Sequence, residues 1–321
     1  MVKYLLIVGC GRSGTTLIQR VLSSHPSICG VRETFFYSII NRKERFNKRN
    51  DLSASEIVEI LKKYWWMKEI INDWSDFSLY LAGRIKKNSR IDDVIYFSIL
   101  DFCNLSEKCP VILEKTPEHF KECCRLITEY PNVIAIGVVR DPIDVILSYK
   151  KLKNGPSYTP NIVNLWLDYL REESHLNSSS HFQSYSYEDL TSKPDKVLAS
   201  MLDFIGVDYL NLNSVEFVDQ RICYSPEQVH HKHSSEAISI NIRSEVLSRA
   251  EFYLLEMMLT ESNIELYNYS KTGNKKTNKA LYQILYIYYT ILDFFEVNLK
   301  ARYYQYLKIH KIRKRQGSDG L

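Results

Sequence analysis

One stretch limits what this chain can become more than any other: YLLIVGCGRSGTTLIQRVLSSHP, residues 4–26. Residues 4–8 are a short apolar run, and Gly9 to Gly14 form a turn. From Thr15 to Ser24 the apolar residues Leu17, Val21 and Leu22 share one face of a helix, which His25-Pro26 ends. An apolar strand that passes through so tight a turn into a helix belongs to a buried parallel sheet. The turn aims backbone N–H groups inward and the helix N-terminus adds partial positive charge, so the loop suits a cluster of anionic oxygens. Its candidate ligands are Gly11, Arg12, Ser13, Gly14, Thr15 and Thr16.

The rest of the chain repeats the strand–helix alternation. Strands are predicted at 110–113, 133–139 and 181–187, with helices after each: from Thr116-Pro117 to about Tyr130, from Asp141-Pro142 to about Lys151, and from Lys193 to Ile205. Residues 51–100 and 161–177 read as helical, as do 245–262. This order predicts an α/β fold: a P-loop-type parallel sheet with helices on both faces, a helical insertion and a long C-terminal helix. The domain organisation expected is one α/β domain over 1–270, with 51–100 on the acceptor side. A polar linker and an aromatic, basic helix follow over 271–321.

In such a sheet, ligands bind beyond the carboxyl ends of the strands. Three motifs fall there. The first is the loop itself. A nucleoside-triphosphate loop carries lysine after its second glycine, but Thr15 stands at that place and the cation is Arg12, inside the loop. No acidic strand end is evident to hold magnesium. A phosphosulfate, with less charge and no metal clamp, suits this loop better than a triphosphate. The second motif, VIAIGVVRDPIDVILSYKK, puts Arg140 at a strand end and Ser148 two helical turns on, a fork and a hydroxyl suited to a second phosphate. A surface pairing of Arg140 with Asp141 or Asp144 is the plainer alternative. The third, VILEKTPEHF, puts Lys115 at a strand end; it reads either as a site cation or as a surface lysine.

With GRSGTTL, SSHP, RET, EKTP and VVRDPIDVILS in this order, residues 3–210 resemble the sulfotransferases that use 3′-phosphoadenylyl sulfate (PAPS). The likeness is nearest to the tyrosylprotein and bacterial carbohydrate branch. The resemblance implies PAPS as co-substrate and no metal. It gives the loop to the phosphosulfate, Arg140 and Ser148 to the 3′-phosphate, and Lys115 to the neighbourhood of the bridging oxygen. It implies a base at Glu33, with Arg12 and Lys115 stabilising the transferring group. Glu114 and His119 are rival bases, and Glu33 has a structural alternative in a pair with Arg32 or Arg12. Tyr187 falls near the nucleotide or in the core. A closing loop would bring Arg243 or His233 to a phosphate. The cluster His230, His231 and His233 lacks metal-ligand spacing. The expected acceptor is a hydroxyl, more in keeping with a carbohydrate or lipid-linked glycan than with protein tyrosine. The enzyme alternative is a small-molecule P-loop kinase, and the non-enzyme alternative a scaffold with a dead site.

Composition adds limits. The 321 residues carry a net charge of +4, mild enough to suit an anionic small ligand and too small to argue for nucleic acid. Seven scattered cysteines without C-x-x-C spacing read as reduced thiols, which predicts a cytoplasmic protein. The apolar run at the N-terminus is too short for a signal peptide. The C-terminal segment ALYQILYIYYTILDFFEVNLKARYYQYLKIHKIRKR joins an aromatic run to a basic end. It predicts a long helix from Ala280 to about Arg315, packed on the domain or lying at the surface of the inner membrane.

Overall fold

The computed structural model describes residues 2–49, 51–86, 90–152, 158–210, 247–262 and 280–292. Five strands form one sheet: β1 (Lys3–Gly9), β2 (Ile28–Val31), β3 (Val111–Lys115), β4 (Val133–Val139) and β5 (Phe182–Ser186). Every pairing is parallel, in the order β2-β3-β1-β4-β5. β1 is central, and the chain leaves it first toward β3 and β2, then crosses to β4 and β5. The loop after β1 therefore stands at the point where strand order reverses, the place where open α/β sheets form a crevice.

The sequence reads β1 correctly because its buried run needs helices on both sides. Leu5 and Ile7 point to one face. There they join Ile18, Val21 and Leu22 of α1 (Thr15–Ser23) and Val197, Leu198, Met201 and Leu202 of a later helix, Pro194–Ile205. On the other face the Tyr4 ring lies 4.6 Å from Phe97, and its O–H donates to Asp101 at 2.6 Å. Successive side chains of a strand alternate between faces, so both halves of β1 are covered.

The described residues of 51–100 are mostly helical, as predicted: α2 (Ala54–Leu61), α3 (Trp74–Ala82) and the start of α4 (Ile91–Cys103). Ser53 caps α2 in a capping box with Glu56, and Asp73 caps α3. α5 (Phe120–Glu129) follows β3, and α6 (Pro142–Lys150) follows β4 with Asp141 as its N-cap. α7 (Thr159–Leu176) precedes β5. Ser186 then caps α8 (Tyr187–Ser192), and α9 (Pro194–Ile205) ends at Gly206. Tyr187 thus opens a helix rather than closing the strand predicted to end there. β2 was not foreseen; four residues carry too weak an alternation to separate from a loop.

The chain divides into two compact units, 1–140 with 169–241, and 141–168 with 242–321. The sheet belongs to the first. In the second, Ser248 and Glu251 form a capping box at the start of α10 (Arg249–Glu261). Glu251 is also ion-paired with Lys150 and accepts from Thr159 Oγ1 at 3.0 Å. A helix over 280–292 joins this unit through Asn164, whose Nδ2 donates to the Tyr286 hydroxyl at 3.2 Å. The linker 271–279, the C-terminal residues 293–321, and His230, His231, His233 and Arg243 lie outside the described residues.

The cysteines correct one expectation. Cys29 and Cys109 form a disulfide, while Cys10, Cys103, Cys123 and Cys124 are not bridged. The two partners are 80 residues apart. Cys29 lies in β2 and Cys109 just before β3, its neighbour in the sheet, with their Cα atoms 5.8 Å apart. Sequence spacing gave no hint of that pairing.

Candidate active site

The loop after β1 takes its shape from two left-handed residues, Arg12 at φ 69° and Gly14 at φ 99°. The Ser13 N–H donates to the Cys10 carbonyl at 3.2 Å, and Gly14 stands as N-cap of α1. The first N–H groups of any helix have no partner within it, and no side chain caps α1. The Ser13 hydroxyl is fully buried and finds no partner among the described residues. A buried donor without a partner costs about 1–3 kcal/mol, which a bound anionic oxygen would remove. The cradle thus has the open donors that a phosphosulfate requires.

Each strand end delivers a residue singled out from the sequence. β1 gives the loop and β2 leads into Glu33. β3 ends in Lys115, β4 leads into Arg140, and β5 into Tyr187. Since β3 and β4 flank β1, Lys115 and Arg140 lie on either side of the loop. Lys115 is 4% exposed, ion-paired with Glu33, and its Nζ donates to Thr16 Oγ1 at 3.2 Å. So the pair expected of base and cation is in contact, and it touches the first turn of α1. Arg32, one of the two structural partners weighed for Glu33, is ion-paired with Glu69.

On the far side, Arg140 Nη1 donates to the Arg12 carbonyl at 3.2 Å. Its guanidinium lies 4.1 Å from the centroid of the Tyr187 ring, a cation–π contact. Tyr187 in turn packs against Gly14, where a Cβ would come within 2.4 Å of the ring. Tyr187 is thereby part of the loop's wall and not a core residue. Ser148 stands half-buried on α6 of the second unit.

The rival bases are differently placed. Glu114 and His119 are each 1% exposed and hydrogen-bond to each other at 3.1 Å. Sequence reasoning overlooked Glu118, on the turn between β3 and α5. Its side chain is exposed there. Among the described residues, no group of three or more His, Cys, Asp or Glu is placed to hold a metal ion.

A profile of the sulfotransferase family matches residues 5–211, about two thirds of the chain and all five strands. The chain belongs to the sulfotransferase family. Its sulfotransferase activity follows from that membership, while the acceptor does not. Among solved structures, the sulfotransferase domain of the curacin biosynthetic pathway is 18% identical with a TM-score of 0.48, covering 70% of this chain and 81% of its own. The sulfotransferase domain of the Synechococcus PCC 7002 olefin synthase is 20% identical with a TM-score of 0.49, covering 81% and 94%. A sulfotransferase of Mycobacterium tuberculosis is 12% identical with a TM-score of 0.42, covering 66% and 69%. No curated protein sequence matches the chain.

Proposed function

We propose that this sulfotransferase moves the sulfuryl group of PAPS to a hydroxyl of a carbohydrate or lipid-linked glycan, with Glu33 as base. The observation that carries the reading is the contact of Glu33 and Thr16 with the buried Lys115, beside the loop. PAPS supplies an activated sulfuryl group on a phosphate leaving group. The N–H groups of the loop and the Ser13 hydroxyl hold the phosphosulfate oxygens, and Arg12 neutralises them. Lys115 offers a positive charge where negative charge builds on the bridging oxygen as the S–O bond breaks. Glu33 accepts the proton of the attacking hydroxyl. Arg140, stacked on Tyr187, presents its fork to the 3′-phosphate, a role the resemblance shares with Ser148.

The acceptor side falls to residues 51–100. Trp66 Nε1 donates to the Thr34 carbonyl at 3.0 Å, next to Glu33, and the neighbouring Trp65 is 52% exposed. An open indole suits the apolar face of a sugar ring. It would also take a tyrosine phenol, the acceptor of the tyrosylprotein branch.

The test is transfer of labelled sulfate from PAPS to a panel of glycans, phenols and lipids. Glu33→Ala should abolish turnover and leave binding of adenosine 3′,5′-bisphosphate intact. Equal loss of both would make Glu33 structural.

The helix over 280–292 bears on where the enzyme works. It holds no Asp, Glu, Lys or Arg, and Ile284, Ile287, Tyr288 and Ile291 are exposed. No helix among the described residues is long and apolar enough to cross a membrane. The basic residues Lys308, Lys311, Arg313, Lys314 and Arg315 follow in sequence. This composition supports peripheral contact with an anionic bilayer, the inner membrane if the protein is cytoplasmic. Full-length protein should sediment with vesicles containing anionic lipid, and a chain cut at Lys275 should not. Equal sedimentation of the two removes the idea.

A further inference from the structure

Glu114 has no part in the transfer itself, yet more of the site converges on it than on any other carboxylate described. Its Oε1 accepts from the Thr34 N–H at 3.2 Å, the Thr34 hydroxyl at 3.0 Å and the Thr116 hydroxyl at 2.5 Å. Its Oε2 accepts from the Tyr96 hydroxyl at 3.2 Å and from His119 Nδ1 at 3.1 Å. The Tyr37 N–H donates to His119 Nε2 at 3.3 Å, so that nitrogen carries no proton and Nδ1 is the donor. Five donors face the two oxygens, an arrangement only the ionised carboxylate satisfies. Burial opposes this charge. The hydrogen bonds of His119, Thr116 and the Thr34 N–H offset it.

The donors are not scattered. Thr34, Phe35, Phe36 and Tyr37 form the segment directly after Glu33. The Phe35 N–H donates to Thr116 Oγ1 and the Phe36 N–H to Thr34 Oγ1, each at 3.3 Å. Trp66 takes the Thr34 carbonyl, and Gln19 Nε2 donates to the Val31 carbonyl at 2.8 Å. Phe35 sits at φ 48°, a left-handed conformation that costs a residue with a side chain roughly 1–2 kcal/mol. Such a conformation persists where its surroundings over-determine it. Neighbouring residues of a strand point to opposite faces. The end of β3 therefore directs Lys115 to the Glu33 side chain and Glu114 to the Glu33 backbone segment.

We propose that Glu114 is a positioning residue, whose carboxylate gathers the 34–37 segment, Thr116, Tyr96 and His119 and so sets Glu33 against Lys115. This rests on the reading of Glu33 as base. The acceptor need not be known to test it, because water can take the sulfuryl group. PAPS and water then give adenosine 3′,5′-bisphosphate and sulfate, with one S–O bond formed and one broken and a proton passing to the base.

The experiment compares wild type, Glu114→Gln and Thr34→Val in release of the bisphosphate from PAPS. Calorimetric titration with adenosine 3′,5′-bisphosphate counts folded sites. Glu114→Gln should lower kcat at least ~30-fold per binding site, with bisphosphate Kd and KM for PAPS within about 3-fold of wild type. Thr34→Val removes one donor and should lower kcat less, and Thr34→Ser, which keeps the hydroxyl, should restore it. A purely structural Glu114 would lower the number of binding sites and the Tm but leave kcat per site unchanged. That result for Glu114→Gln sinks the proposal. If Glu114→Gln does not fold, an unchanged kcat in Thr34→Val has the same force. Wild type that neither binds the bisphosphate nor releases it from PAPS fails differently: it overturns the reading of the reaction.

Discussion

Gly14 is held at φ 99° beneath the Tyr187 ring, which itself carries the Arg140 guanidinium. Alanine there meets two penalties. The left-handed backbone costs roughly 1 kcal/mol more than for glycine, and the new methyl group displaces the ring. Gly14→Ala should therefore weaken adenosine 3′,5′-bisphosphate binding by at least ~10-fold, about 1.4 kcal/mol, as read by calorimetry. Unchanged affinity would separate the Tyr187–Arg140 stack from ligand binding. The glycine itself was legible, since the loop pattern demands it. The ring against it was not: Tyr187 lies 173 positions on, read off the numbering, and no local pattern marks a tyrosine as a wall. Glu114 was hidden for a related reason. Its charge is visible in EKTP, but its partners Thr34 and Tyr96 lie 80 and 18 residues away along the chain.

At the level of elements, α4 and α5 are locked by one carboxylate. Asp93, 1% exposed on α4, accepts from Arg125 Nη1 at 2.8 Å and Nη2 at 2.9 Å, both from α5. The Tyr37 and Tyr130 hydroxyls also donate to it, at 2.6 and 2.8 Å. Burial pushes its carboxyl up, but the hydrogen bonds of Arg125, Tyr37 and Tyr130 and the charge of Arg125 win, and it titrates below the usual value of 3.8. A carboxyl depressed on folding stabilises the fold above its unfolded value, and that contribution disappears as pH falls through the folded value. Urea unfolding should thus show stability falling as pH drops below about 4. Asp93→Asn should be less stable at neutral pH and flatter with acid. An identical acid slope in the variant would assign the loss to other groups. The helices themselves were legible from apolar spacing and caps; which helix meets which was not.

For the molecule as a whole, the disulfide closes a loop of 80 residues between β2 and β3. By chain entropy alone such a loop contributes about 4 kcal/mol. Reductant should lower the Tm and leave the far-UV spectrum at low temperature unchanged; an unaltered Tm would mean the bridge adds nothing. The bridge also removes the ground on which the cysteines were read as cytoplasmic, because such bonds persist mainly in oxidising compartments. What the sequence determined by itself was local or periodic. Strand and helix alternation fixed a parallel sheet, glycine and threonine spacing fixed an anion loop without a Walker lysine, and EKTP and VVRDP fixed two of the strand ends that carry the charges. Tertiary structure decided what touches what. Strand order placed Lys115 and Arg140 on opposite sides of the loop, the pairing of β2 with β3 set Cys29 near Cys109, and burial turned Glu114 from a rival base into the anchor of the segment after Glu33. Local patterns act through neighbours along the chain. The charges of this site and the cysteines of the bridge act through neighbours in space, and only the packed sheet makes them so.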